Sequence, residues 1–272
     1  GFDKFVIHDE EKDDLTQRHI EILQNINTIF QNGQNFFLYL HYSNIHTAIK
    51  NEVLNVYKNF SEEFFQNKLS NETRYANLFK KAETYLESLL GEINRLSLDN
   101  NSIILIMSDH GISTGEKFGE RAYGAFCYDY TLRTITYFLD KDFEPTEISQ
   151  QTRLVDFMPT ILDILHIPLD PKYEKLDGIS LLPLFNNQIL NEKTAISQTG
   201  NPLKNKEPPE NPNVHSIRTS NWKLIYNQHD GSKELYNLRT DPEEQTNLIS
   251  TNNKIAITLW NELKNHIKFN VN

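Results

Sequence analysis

A chain of 272 residues is long enough to bury one large core, or a core with a small appendage. Its net charge of −10, from 27 basic and 37 acidic side chains, argues against a nucleic-acid backbone as partner, because no basic surplus exists to displace counterions. The longest apolar run, residues 103–107, falls far short of the roughly 20 residues that cross a bilayer, so no membrane span is expected in this segment.

A single cysteine, Cys127, leaves no internal disulfide and no thiolate zinc cluster. Gly1-Phe2-Asp3 reads like the interior of a domain, without initiator Met or signal peptide. The chain is therefore expected to be a piece of a longer one, and its location is left open.

In chain order, Leu15, Ile20, Leu23 and Ile26 form an apolar stripe at helical spacing. Residues 36–42 are an aromatic, apolar run that predicts a buried strand. Residues 74–96 keep helical periodicity through Leu78, Ala82, Leu89 and Ile93, with Ser70 and Asn71 as candidate N-caps. Residues 102–107 read as a strand covered on both faces, of the kind found in parallel sheets. Another strand is expected over 132–139. A helix is expected over 154–165, with Pro159 in its first turn. This alternation predicts an α/β fold, a doubly wound, mostly parallel sheet flanked by helices, occupying residues 1–200. Beyond a Pro-rich stretch at 201–212 the texture changes. Short strands at 214–219, 222–226 and 234–238 precede a helical stripe of Ile255, Leu259, Leu263 and Ile267. Residues 201–272 are thus expected to form a small antiparallel sheet with one helix.

Ligands of doubly wound sheets bind beyond the carboxyl ends of the strands. There, directly after Met107, stands Ser108-Asp109-His110-Gly111. A carboxylate beside an imidazole offers two ligands of mixed O/N type, which suit Zn or Mn, while the carboxylate alone would serve Ca or Mg. The plainer alternative is a turn whose Asp caps local N–H groups while His110 is solvated.

Several stretches together resemble the sulfatase family of the alkaline-phosphatase-like superfamily. Gly1-Phe2-Asp3 is similar to its Gly-Phe-Asp segment, and residues 36–47 resemble the strand that ends in its Asp-Pro-His-x-Pro-Tyr. Ser108-Asp109-His110-Gly111 with Gly115-Glu116-Lys117 matches a metal-binding loop of the family. Tyr128-Asp129 with Leu132-Arg133, residues 155–162, residues 177–183, and Glu234-Leu235-Tyr236-Asn237-Leu238 with Asp241-Pro242 follow in the family's order. The resemblance implies that Asp109 and His110 hold one divalent metal ion (Ca, Mn, Mg or Zn). It implies that His46 faces the anionic oxygens or protonates the leaving group, and that Lys117 is an anion contact. Arg121 ranks below Lys117, and Arg133 is expected to brace the sheet.

Two departures stand out. Asn44-Ile45-His46-Thr47 lacks the family's Asp, Pro and Tyr, and Tyr123-Gly124 stands where many sulfatases place a sulfate-binding Lys or His. No Cys or Ser here lies in the Cys/Ser-x-Pro/Ala-x-Arg context that matures to formylglycine. The expected function is metal-dependent hydrolysis of sulfate esters, with the nucleophile in a missing N-terminal part of the same protein that partners this segment. The alternatives are a phosphodiesterase, a phosphoglycerol or phosphoethanolamine transferase, and a non-catalytic fragment or pseudoenzyme acting as a binding module. In each enzymatic case the substrate is an anionic sulfate or phosphate ester.

Overall fold

The computed structural model describes residues 2–9, 12–54, 57, 61–120, 123–170, 172, 176–203, 207 and 209–267. The chain divides into two compact units.

The first unit comprises residues 1–108, 112–122 and 135–141. Helix α1 (Leu15–Gln31) begins at Asp14, whose Oδ1 accepts the backbone N–H groups of Thr16 and Gln17 at 2.9 and 3.2 Å. That cap satisfies two of the helix's orphan donors. Helix α2 (Asn44–Ile49) runs into a π-helical turn, Lys50–Leu54, and α3 (Glu62–Gln66) leads into α4 (Lys68–Arg95). Helix α4 starts six residues before the expected position, so Ser70 and Asn71 lie within it and do not cap it. Asn71 is fully buried, and its Nδ2 donates to Phe64 O and Thr114 O, both at 2.9 Å. Packing rather than capping explains an asparagine there.

Strand β1 (Ile104–Met107) pairs antiparallel with β2 (Thr136–Leu139). The expectation of a strand covered on both faces is not met by β1, whose Ile104, Leu105 and Ile106 are half-buried and whose Met107 is exposed. The predicted strand at 36–42 has no ladder partner among the described residues. Its burial still alternates with the period of a strand. Phe36 and Leu38 pack with Leu23, Ile93, Leu98 and Ile104, while Phe37 and Tyr39 remain 71% and 67% exposed.

The second unit comprises residues 109–111, 123–134 and 142–272. It contains α5 (Asp129–Leu132), a 3-10 turn at Leu154–Asp156, α6 (Phe157–Ile164) and α7 (Leu182–Phe185). It also holds β3 (Ala195–Thr199), β4 (Val214–Arg218), β5 (Trp222–Asn227), β6 (Lys233–Asn237) and α8 (Asn253–His266). Pro159 sits in the first turn of α6, where a missing N–H costs nothing. The four strands form an antiparallel sheet in the order β3-β4-β5-β6. The sequence reading missed β3, a polar five-residue strand without clean alternation.

Register sorts this sheet's side chains. Ile217, Leu224 and Leu235 are cross-strand neighbours and meet Ala256, Leu259 and Leu263 of α8. Val214, Ile225 and Tyr236 lie on the opposite face, against Cys127 and Tyr128. That face therefore covers itself with residues 126–132, and Cys127 is a buried thiol.

Candidate metal centre

At the end of β1 the backbone is clamped to the neighbouring strand. Ser108 N donates to Ile135 O, and Ile135 N donates to Ser108 Oγ, both at 3.1 Å. The turn that follows, Asp109–Gly111, belongs to the second unit. Its glycine is required by close approach. Gly111 N donates to Thr131 O at 2.9 Å, and a Cβ at this position would stand 2.2 Å from Tyr130 O.

The two side chains of the turn face each other. His110 Nδ1 lies 2.7 Å from Gly111 O. A carbonyl only accepts, so Nδ1 carries the proton and Nε2 keeps its lone pair. Nε2 is 3.6 Å from Asp109 Oδ2, while Asp109 Oδ1 accepts the His110 N–H at 2.9 Å. Both side chains are open to solvent, His110 at 44% and Asp109 at 78%. The Tyr123 ring stands edge-on to the imidazole at 5.6 Å, and burial raises its phenol pKa.

This donor set fits a divalent ion. Two bonds of about 2.0–2.2 Å at a tetrahedral angle hold their donors roughly 3.5 Å apart, close to the 3.6 Å found here. It is an incomplete sphere, because among the described residues no group of three or more His, Cys, Asp or Glu could hold an ion.

The other expected site residues belong to the first unit. His46 is exposed on α2. Lys117 is half-buried in the loop after Ile112, a loop organised by its neighbour Glu116. That carboxylate accepts from Ser113 Oγ at 2.9 Å, Thr114 N and Oγ1 at 2.8 Å, and Gly115 N at 3.1 Å. Arg121 lies outside the described residues. Arg133 is exposed, and among the described residues it is Arg218 that ties the sheet to Asp129.

Arg218 and Lys223 face each other across β4 and β5. Lys223 has no solvent exposure, and its Nζ meets Asp129 Oδ1 at 2.9 Å and Glu244 Oε1 at 3.0 Å. Arg218 grips Asp129 from the side through Nε at 3.1 Å and Nη2 at 2.9 Å, and Asp129 N donates to Glu244 Oε2 at 2.7 Å. Burial pushes the Asp129 carboxyl upward, but Lys223 and Arg218 outweigh it and hold the group below the usual carboxylate range. For Glu244 burial wins over Lys223, and its pKa is raised.

The Sulfatase family model matches residues 3–167, and the model for the N-sulphoglucosamine sulphohydrolase C-terminal region matches 125–269. Arylsulfatase K of Canis lupus familiaris is 30% identical over 206 residues, which are 69% of this chain and 36% of that protein. The chain thus spans about a third of the length of this curated relative. A 2-O GAG sulfatase structure superposes with a TM-score of 0.69 at 16% identity, covering 98% of this chain and 65% of the other. A structure in complex with its substrate D-glucosamine-2-N,6-O-disulfate gives 0.53 at 22% identity, covering 67% and 37%. The fold class is therefore the alkaline-phosphatase-like α/β fold of these structures, and the strand pairs among the described residues are antiparallel.

Proposed function

The chain belongs to the sulfatase family, and on that premise we propose that it supplies the Asp109–His110 side of a metal-dependent site for hydrolysing sulfate esters. The observation that carries this reading is the His110 ring, protonated at Nδ1 by its bond to Gly111 O and presenting Nε2 beside Asp109 Oδ2. In it, Asp109 and His110 would hold one divalent cation, whether Ca, Mn, Mg or Zn, which when bound would supply positive charge to the ester oxygens. His46 gives a proton to the leaving oxygen as the S–O bond breaks, and Lys117 pairs with the anionic group. Tyr123 packs against His110 and can donate one hydrogen bond to a sulfate oxygen.

The nucleophile, a formylglycine in this reading, belongs to the part of the relatives' length that this chain does not span. Exposed Phe37, Tyr39, Met107 and Tyr137 support a complementary polypeptide covering this segment. Residues 201–272 are read as a small subdomain whose sheet also takes in β3 (Ala195–Thr199), distinct from the α/β domain expected over residues 1–200.

The test compares an aryl sulfate with an aryl phosphodiester as substrates of the complete protein. Sulfate turnover is expected to fall at least a hundredfold in Asp109→Ala, and the 272-residue chain alone is expected to turn over neither ester. Preference for the phosphodiester would move the chain to the phosphodiesterase branch. Ester turnover by the isolated chain, abolished by Asp109→Ala, would contradict the divided site.

A further inference from the structure

We propose that Asp129, held by Lys223, Arg218 and Glu244, is a positioning residue that sets the geometry of the Asp109–His110 donor pair. The proposal rests on the metal reading above and deepens it.

Two cations opposite each other on one sheet face repel, and Lys223 cannot relieve this by reaching water. Burying such charges contributes little net stability compared with apolar packing of the same volume. What a buried ion cluster can do is fix one arrangement among several compact alternatives. Here the group fixed is the first residue of α5. Its carboxylate is held from two directions by Lys223 and Arg218, and its backbone N–H by Glu244.

The constraint passes to the metal turn through two atoms. Tyr130 and Thr131, one and two residues after Asp129, present their carbonyl oxygens to Gly111. Thr131 O takes the Gly111 N–H, and Tyr130 O leaves no room for a side chain. The far side of α5 is held as well. Thr131 Oγ1 donates to Tyr128 O at 3.0 Å, and a Cβ on Gly124 would stand 3.0 Å from that hydroxyl. Gly124 O in turn accepts Thr199 Oγ1 of β3 at 2.8 Å. Asp109 and His110 are thus the two residues before a glycine seated on a helix that cannot shift independently of the sheet. Donor atoms need holding within about 0.5 Å to bind an ion well, and an exposed turn has no such stiffness of its own.

The test uses the 272-residue chain with Mn2+ as probe. Affinity is followed by electron paramagnetic resonance, and the His110 ring nitrogens by NMR without metal. Asp129→Asn keeps shape and one acceptor but loses the charge. Mn2+ affinity is expected to fall about tenfold, as for removal of other groups that orient a ligand. The Nδ1-protonated signal of His110 is expected to give way to a tautomer mixture. Arg218→Met, which leaves Lys223 to pair Asp129, is expected to show the same changes at smaller size, about threefold in affinity. Should Asp129→Asn fail to fold, Arg218→Met decides. Native affinity together with an unchanged His110 signal in the folded variants overturns the proposal. A native chain that binds Mn2+ no better than Asp109→Ala removes the metal reading, and the His110 signal still decides the coupling to Asp129.

Discussion

The proton on His110 Nδ1 is what leaves its other nitrogen free to act as a metal donor, and the main-chain carbonyl of the next residue, Gly111, holds it there. Asp109, His110 and Gly111 can be proposed as a site from the sequence because all three are consecutive after an apolar strand. The Asp129 cluster was not legible, because Lys223 and Glu244 reach Asp129 across 94 and 115 residues of sequence. The same limit hid His19. It lies on the apolar stripe of α1, almost fully buried, with Nδ1 2.8 Å from Tyr85 Oη. Burial, then the nearby His8 and His41, lower its pKa from 6.5 to about 4. The unfolded imidazole takes a proton near 6.5 while the folded one resists until about 4. This contribution is therefore complete above the unfolded value and is lost as pH falls through the window between the two. The pH-dependent loss is on the order of 3 kcal/mol. Urea unfolding between pH 7 and 4.5 is expected to show it, and to show a flatter profile in His19→Gln. Equal slopes for both proteins would assign the loss to other groups.

At the scale of elements, periodicity located α1, α4, α6, α8 and the strands β1, β2, β4, β5 and β6. It located ends poorly, and the reason is visible in Asn71. Asparagine is a good cap in isolation, but here it is spent tying α4 to Phe64 and to the loop at Thr114. Asn71→Ala leaves both carbonyls without this donor in a closed interior, at a cost of about 1–3 kcal/mol. Denaturant titration of the variant is expected to show that loss, whereas an N-cap replaced by alanine typically costs about 1 kcal/mol. The run at 36–42 illustrates the opposite error. Its composition fits a strand buried on both sides, and its observed burial is that of a strand with one face packed and the other open. Sequence composition cannot distinguish a face covered by this chain from one covered by another polypeptide.

That distinction governs the molecule as a whole. Composition and the order of motifs identified the family and fold, and the family model confirms the identification over residues 3–167. They could not give the pairing within the sheets, because register depends on contacts between strands far apart in sequence. Exposed Phe37, Tyr39, Met107, Ile135 and Tyr137 lie in the first unit. The isolated chain is accordingly expected to bind the dye ANS more strongly than the complete protein, and equal binding would argue that nothing covers these side chains. The central claim, that Asp109 and His110 are ligands to one ion, is tested most directly by electron spin echo spectroscopy of Mn2+ added to the chain. The account predicts nitrogen modulation from one imidazole, lost in His110→Gln and retained in His46→Gln. Modulation that survives His110→Gln, or that is absent from the native chain with Mn2+ bound, would contradict it.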